Sequence, residues 1–128
     1  MTDSAALLEG VCFEAAHAMS GQAFILTSQE QLNSVYDQID GSQLCRRPIA
    51  RQTFDFAGRT VVGTWTYAPQ GCTARHELVR VRRNDENRRI NLRYRFVVEG
   101  DCPYELIRPL WVAVENPDSY NIRLTFTD

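Results

Sequence analysis

The chain reads as a mainly β domain, an antiparallel β-sandwich or open barrel with one α-helix packed on it at about residues 29–40. Three observations predict this. From about residue 52 onward, short stretches rich in β-branched and aromatic residues are separated by breaks containing Gly, Pro, Asn and Asp. The connections are short, and parallel crossovers need a dozen or more residues, so antiparallel pairing is expected. One segment, SQEQLNSVYDQIDG, carries a full set of helix signals.

The elements follow in chain order. Residues 1–20 fit two readings: a helix interrupted at Gly10, or a strand from Val11. AFILTS, after Gly21, reads as a short buried strand. In the helical segment Ser28 is placed to cap the N-terminus, with Gln31 completing a capping box. Leu32, Val35, Tyr36 and Ile39 form one apolar stripe. Gly41 stands where a left-handed residue would end the helix. SQLCRRPIA is a polar loop, and RQTFDFA alternates like a strand with Phe54 and Phe56 on one face. RTVVGTWTY is a further strand, followed by a turn at PQG. Residues 75–83 and 88–98 form a charged hairpin, and GDCP is a second break. LIRPLWVAVE holds a Pro near its start, which suits an edge or an irregular entry. NPDS turns the chain into YNIRLTF, whose Tyr120, Ile122, Leu124 and Phe126 alternate.

At 128 residues the chain is most simply a single domain, 1–128. Folding at this size buries roughly two-thirds of the unfolded surface. The charge is uneven. Residues 75–99 hold eight Arg against Glu77, Asp85, Glu86 and Glu99, a net of +4, while the remaining six Arg face twelve acids, a net of -6. No run reaches the roughly 20 apolar residues of a membrane span. The first residues lack the basic and apolar regions of a signal peptide.

Cys12, Cys45, Cys72 and Cys102 are widely spaced, without the close pairs that suit a zinc site. Two disulfides are the preferred reading, and they place the domain in an oxidising, extracytoplasmic compartment, the periplasm or cell surface. On that reading a leader has been removed, and a lipidated one would anchor the domain to a membrane. Four free thiols would instead indicate a cytoplasmic protein. Cys72 and Cys102 lie at the same open end of the hairpin, so Cys72–Cys102 with Cys12–Cys45 is the favoured pairing; two other connectivities remain open.

Strand alternation sorts the hairpin side chains. Val79, Val81, Ile90, Leu92, Tyr94, Phe96 and Val98 fall on one face, expected to be core. A loop centred on Asp85-Glu86 sets Val81 opposite Ile90 and His76 opposite Arg95. The other face collects Arg80, Arg82, Arg89, Arg93 and Arg95, the candidate binding residues. In one reading acids from elsewhere, such as Asp101, Glu105 and Glu115, neutralise them, since like charges across strands are destabilising. In the other they grip an acidic protein, a glycan or phosphate in the bidentate manner of guanidinium groups. Nucleic acid is disfavoured because Tyr94 and Phe96 point away from this face, leaving no stacking platform.

Catalytic signals are absent: no P-loop, H-E-x-x-H, G-x-S-x-G or calcium loop occurs. Cys72 and His76 are the nearest thiol–imidazole pair, and two strand repeats would hold them about 13 Å apart. They read as a disulfide cysteine and a surface histidine. No cofactor or metal is expected.

FDFAGRTVVGTW, APQGC, the charged hairpin, EGDCP and LWVAVENPDSYNIRLTF together resemble the C-terminal domain type of the B-type components of protease complexes and related bacterial lipoproteins. The matching residues are Asp55-Phe56, Val62-Gly63, Gly71-Cys72, Cys102 and Trp111-Val112, within about residues 24–126. The Gly-Gly-Tyr turn usual there is not present, and the usual Pro is displaced to Pro117. The resemblance implies an exported, non-catalytic β-domain that binds a protein partner or assists a larger complex.

Overall fold

One β-hairpin, longer than the sequence suggests, organises the computed structural model, which describes residues 1–127. Its first arm runs unbroken from Arg59 to Asn84, and its second from Arg89 to Glu115. Straight, 26 such residues would reach about 85 Å. A domain of this length has a radius of gyration of about 14 Å. The ribbon therefore has to fold over, and the breaks at PQG and GDCP are where it does so. They bend two continuous strands instead of ending four short ones.

At the bend the pairing changes from Gly71↔Pro103 to Thr73↔Glu99, so Cys72 stands alone against Gly100–Cys102. Cys72 is disulfide-bonded to Cys102 across this bulge, with Cα atoms 4.8 Å apart. Gly100 adopts φ +90°, and a Cβ there would lie 2.3 Å from Cys72 Sγ. A Cβ on Gly71 would meet Val98 Cγ1 at 2.4 Å. Both glycines are needed for the strands to turn this closely.

Folding over gives two layers. The open half of the hairpin packs Val62, Leu110 and Val114 against Ile90, Leu92 and Tyr94 of the tip half. The tip loop comes back beside the far end of the chain: Asn121 N donates to Arg88 O, and Tyr120 Oη to Asp85.

The element order is β1 (Thr2–Asp3), a 3₁₀ turn (Ala5–Leu8), α1 (Phe13–Ala18), β2 (Phe24–Leu26), α2 (Gln29–Gly41), β3 (Arg59–Asn84), β4 (Arg89–Glu115) and β5 (Asn121–Thr127). β2 and β1 extend the open half, pairing antiparallel with β3 and β4 respectively. On the outer side of this half, Val61, Trp65, Trp111 and Ala113 form a second core with Leu32, Val35, Tyr36 and Ile39 of α2 and with the N-terminal turns. Trp111 lies directly over Gly63, where a Cβ would come within 2.0 Å of its ring. It meets Trp65 edge-on and stacks on Phe24. From one side to the other the layers are helices, open half and tip half.

The mainly antiparallel sheet with a packed helix is thus present, and it does not close into a barrel. Ser28 caps α2 by accepting from Gln31 N, and Gln31 Oε1 accepts from Thr27 N. Both disulfides follow the favoured pairing, and no free cysteine remains. The N-terminal segment is helical on either side of Gly10.

Several expectations are corrected. Gly41 stays within α2, and Gln43, at φ 59°, takes the left-handed position. Residues 51–57, read as a strand, have no ladder partner, because α2 supplies hydrogen bonds to them and to Ile49 in the loop before them. Asp40 accepts from Ile49 N, Tyr36 Oη from Gln52 N, and Gln29 Oε1 from Phe54 N. β5 pairs parallel to Arg89–Arg95, not antiparallel to the strand it follows. The rule on parallel crossovers still holds, because residues 96–120 are the crossover. Asn116 fixes the final turn by donating to Thr60 Oγ1 and Tyr120 O and accepting from Tyr120 N.

The packing makes two glycine substitutions differ in sign. Gly63→Ala displaces Trp111 and should cost about 2–3 kcal/mol in urea unfolding. Gly41→Ala, with open space around its Cβ and a helical backbone, should instead gain roughly 0.5 kcal/mol. The disulfide loops, 33 and 30 residues long, should each contribute about 3–4 kcal/mol. Thiol alkylation before reduction should label no cysteine, and Cys72→Ser/Cys102→Ser should lower the urea midpoint with the other bond intact.

Candidate functional site

The hairpin register differs from that read in the sequence. Four residues, Asp85–Arg88, form the loop, with Asn87 N donating to Asn84 Oδ1 and Arg88 at φ 51°. A bulge at Val79 then shifts the ladder between Leu78↔Tyr94 and Arg80↔Arg93. Val81 lies opposite Leu92, and His76 opposite Phe96. The two-residue shift near the tip preserves the faces, so the separation of arginines from apolar residues survives.

The core assignment holds for only part of the second arm, since Phe96 is half-buried and Val98 is 39% exposed. Ile90, Leu92 and Tyr94 are buried, whereas Val79 and Val81 are 44% and 48% exposed. The reason is position. β3 is the outer strand of the tip half, paired there with β4 alone among the described residues, and it overhangs the layer beneath.

The outward face of the tip half spans three strands, β3–β4–β5. One row reads Arg82, Asn91, Arg123, and the next Arg80, Arg93, Thr125. These six side chains line a shallow depression of about 170 Å³. Arg80, Arg82 and Arg93 are readable as a group from the sequence. Arg123 is not among the residues so grouped, although it stands between Ile122 and Leu124 in an alternating strand and is therefore on the polar face. Arg95 lies one row further along, opposite Glu77 and beside Thr127. Arg89 sits at the loop end of β4, half-buried, with Nε enclosed and unpartnered. Neither lines the depression.

Three of the four acids in residues 75–99 are committed elsewhere, and Glu86, in the tip loop, forms no ion pair among the described residues. Arg75 pairs with Glu77 and Glu99 near the bend, and Arg83 with Asp85 at the tip. Asp85 also accepts from Tyr120 Oη, and these two donors hold its carboxyl below the usual range. Glu105, considered as a neutralising acid, accepts from Tyr67 Oη instead, and neither Asp101 nor Glu115 pairs with an arginine of this face. Among the described residues, no acid forms an ion pair with Arg80, Arg82, Arg93 or Arg123. Asn91 Oδ1 is buried between them without a partner. Turning that amide over would present its NH₂ at the same spot, a further donor beside four guanidinium groups.

A second depression, of about 500 Å³, lies between the N-terminal turns and the open half. Its walls are mostly apolar, with Leu8, Val11, Phe13, Trp65 and Ile107 prominent.

His76 is half-buried, not fully exposed on the surface. It points into the fold-over, hydrogen-bonded through Nε2 to Thr66 Oγ1 at 2.8 Å and packed on Phe96. Cys72 is in a disulfide, so the pair offers no thiolate nucleophile. Burial pushes the His76 imidazole down from 6.5 to about 4.

No protein-family model, curated protein or solved structure matches the chain.

The depressed imidazole has a readable consequence. The folded state prefers neutral His76, so its contribution is complete above pH 6.5 and is lost as pH falls towards 4. The urea midpoint should fall over this window by the equivalent of about 1–2 kcal/mol, after discounting for partial solvent access. His76→Gln should flatten the profile between those limits; an unchanged slope would assign it to other groups.

Proposed function

We propose that this protein is a non-catalytic, exported β-module that binds a partner protein by receiving its acidic side chains on the face formed by Arg80, Arg82, Arg93 and Arg123. One observation carries the reading. Three of the four acids in residues 75–99 are paired to Arg75 near the bend and Arg83 at the tip, and Arg80, Arg82, Arg93 and Arg123 form no ion pair among the described residues. Same-sign charges on adjacent strands repel, and that cost is relieved when carboxylates arrive from outside. Two disulfides suit an oxidising, extracytoplasmic setting. The resemblance to exported accessory domains points the same way.

A smaller anion is the second reading. The depression of about 170 Å³, with arginines on three strands and Asn91 at its floor, has the size and donors for a single oxyanion such as phosphate.

Immobilised poly-L-glutamate tests the face. The protein should bind at low salt and release as salt rises. Arg93→Glu/Arg123→Glu should weaken binding about tenfold or more. Arg46→Glu/Arg47→Glu, an equal charge change in the loop after α2, should leave it within about twofold. Equal losses from both pairs would reduce the effect to net charge and remove the site. Inorganic phosphate that displaces the polymer at millimolar concentration would favour the oxyanion reading.

A further inference from the structure

We infer that the partner's acidic segment binds as an added β-strand along the free edge of β3, its side chains alternating between acidic and apolar. This rests on the arginine-face reading and extends it from a charge contact to a backbone geometry.

Every residue from Leu78 to Asn84 is exposed, and over this stretch β3 pairs only with β4 among the described residues. Its other edge presents backbone N–H and C=O groups that a further strand can pair with. The bulge at Val79 leaves a regular ladder over Arg80–Asn84, about 17 Å of edge. Alternation gives this edge two different sides. Outward stand Arg80 and Arg82, continuous with Arg93 and Arg123. On the other side stand Leu78 and Val81, 45% and 48% exposed, with the bulged Val79 between them in sequence at 44%; Arg83, next on this side, is held over Tyr120 and paired with Asp85. A strand laid here sends every second side chain over the arginines and the others against the apolar rim. Acidic residues fit the first set and Val, Ile or Leu the second.

Charge complementarity also selects against a second copy of this chain. A copy paired antiparallel about Val81 sets Arg80 against Arg82 at cross-strand distance, with no acid among these residues to offset the repulsion. The edge therefore resists self-pairing and accepts an acidic strand.

Three labelled short peptides of alternating Glu and Val test the geometry by fluorescence anisotropy: unmodified, N-methylated at every Glu, and N-methylated at every Val. An added strand directs the N–H groups of alternate residues to the protein. One methylated peptide should therefore lose affinity at least about tenfold, and the other should stay within about twofold of the parent. Equal binding of all three, or failure of the parent peptide with a protein that still binds poly-L-glutamate, overturns strand addition and leaves the arginine face standing. Failure with both probes overturns the two readings together. Sedimentation of the protein alone should give a monomer; a dimer that excludes the parent peptide assigns the edge to a second copy and overturns the proposal.

Discussion

The structure depends on a length mismatch. A two-stranded ribbon whose arms would reach about 85 Å straight is confined to a domain of less than half that extent. Everything else follows from where it bends. The bulge at Cys72, with Gly71 and Gly100 removing the side chains that would collide, lets the ribbon turn on itself. Once turned, each half shields one face of the other. The open half still has an apolar outer face, and the helices cover it. The tip half has a charged outer face, and nothing covers it among the described residues. The domain thus has one dry side and one cationic side, set by a bend of a few residues.

The distribution of ion pairs reinforces this division. Surface ion pairs contribute little to stability, about 0–1 kcal/mol each. Their placement here matters more for what they leave exposed. Arg75 and Arg83 absorb three of the hairpin's acids near its ends, so the intervening positive field is not cancelled. Arg123 joins it only because β5 lies alongside β4. The cationic face is therefore a property of the three-stranded assembly, contributed by segments more than 40 positions apart in the chain.

How much of this the sequence discloses depends on whether the information is local. The capping residues and stripe of α2 lie within one short segment, and the helix is readable almost to the residue. Alternation in the second arm separates Ile90, Leu92 and Tyr94 from the arginines correctly, and the cysteine spacing favours the observed pairing. What cannot be read is non-local or displaces regular structure. Gly and Pro at the bend look the same whether a strand stops or turns. Register depends on a bulge at Val79 that no turn residue announces. The burial of Val79 and Val81 depends on whether a further strand flanks β3, which alternation within one arm does not reveal. Residues 51–57 alternate like a strand, yet side chains of α2 take hydrogen bonds a neighbouring strand would have made. For the site, Arg80, Arg82 and Arg93 are legible together. Arg123 is not, because a parallel partner reached through a folded hairpin has no local signature.

The parallel seating of β5 also depends on the bend. Its partner residues, Arg89–Arg95, and the turn that launches it at Asn116 are separated along β4 by the whole bend. They come within reach of one another only after the ribbon has doubled back. Closing so long a loop is an entropic barrier that nothing local offsets beforehand. The seven-residue β5 is thus a latch on the doubled ribbon, its native pairing available only where the bend has brought Arg89–Arg95 back beside it. Until it closes, the Ile122 side of the inner core stays wet, and two edges of the tip half, not one, are open to any strand that arrives first.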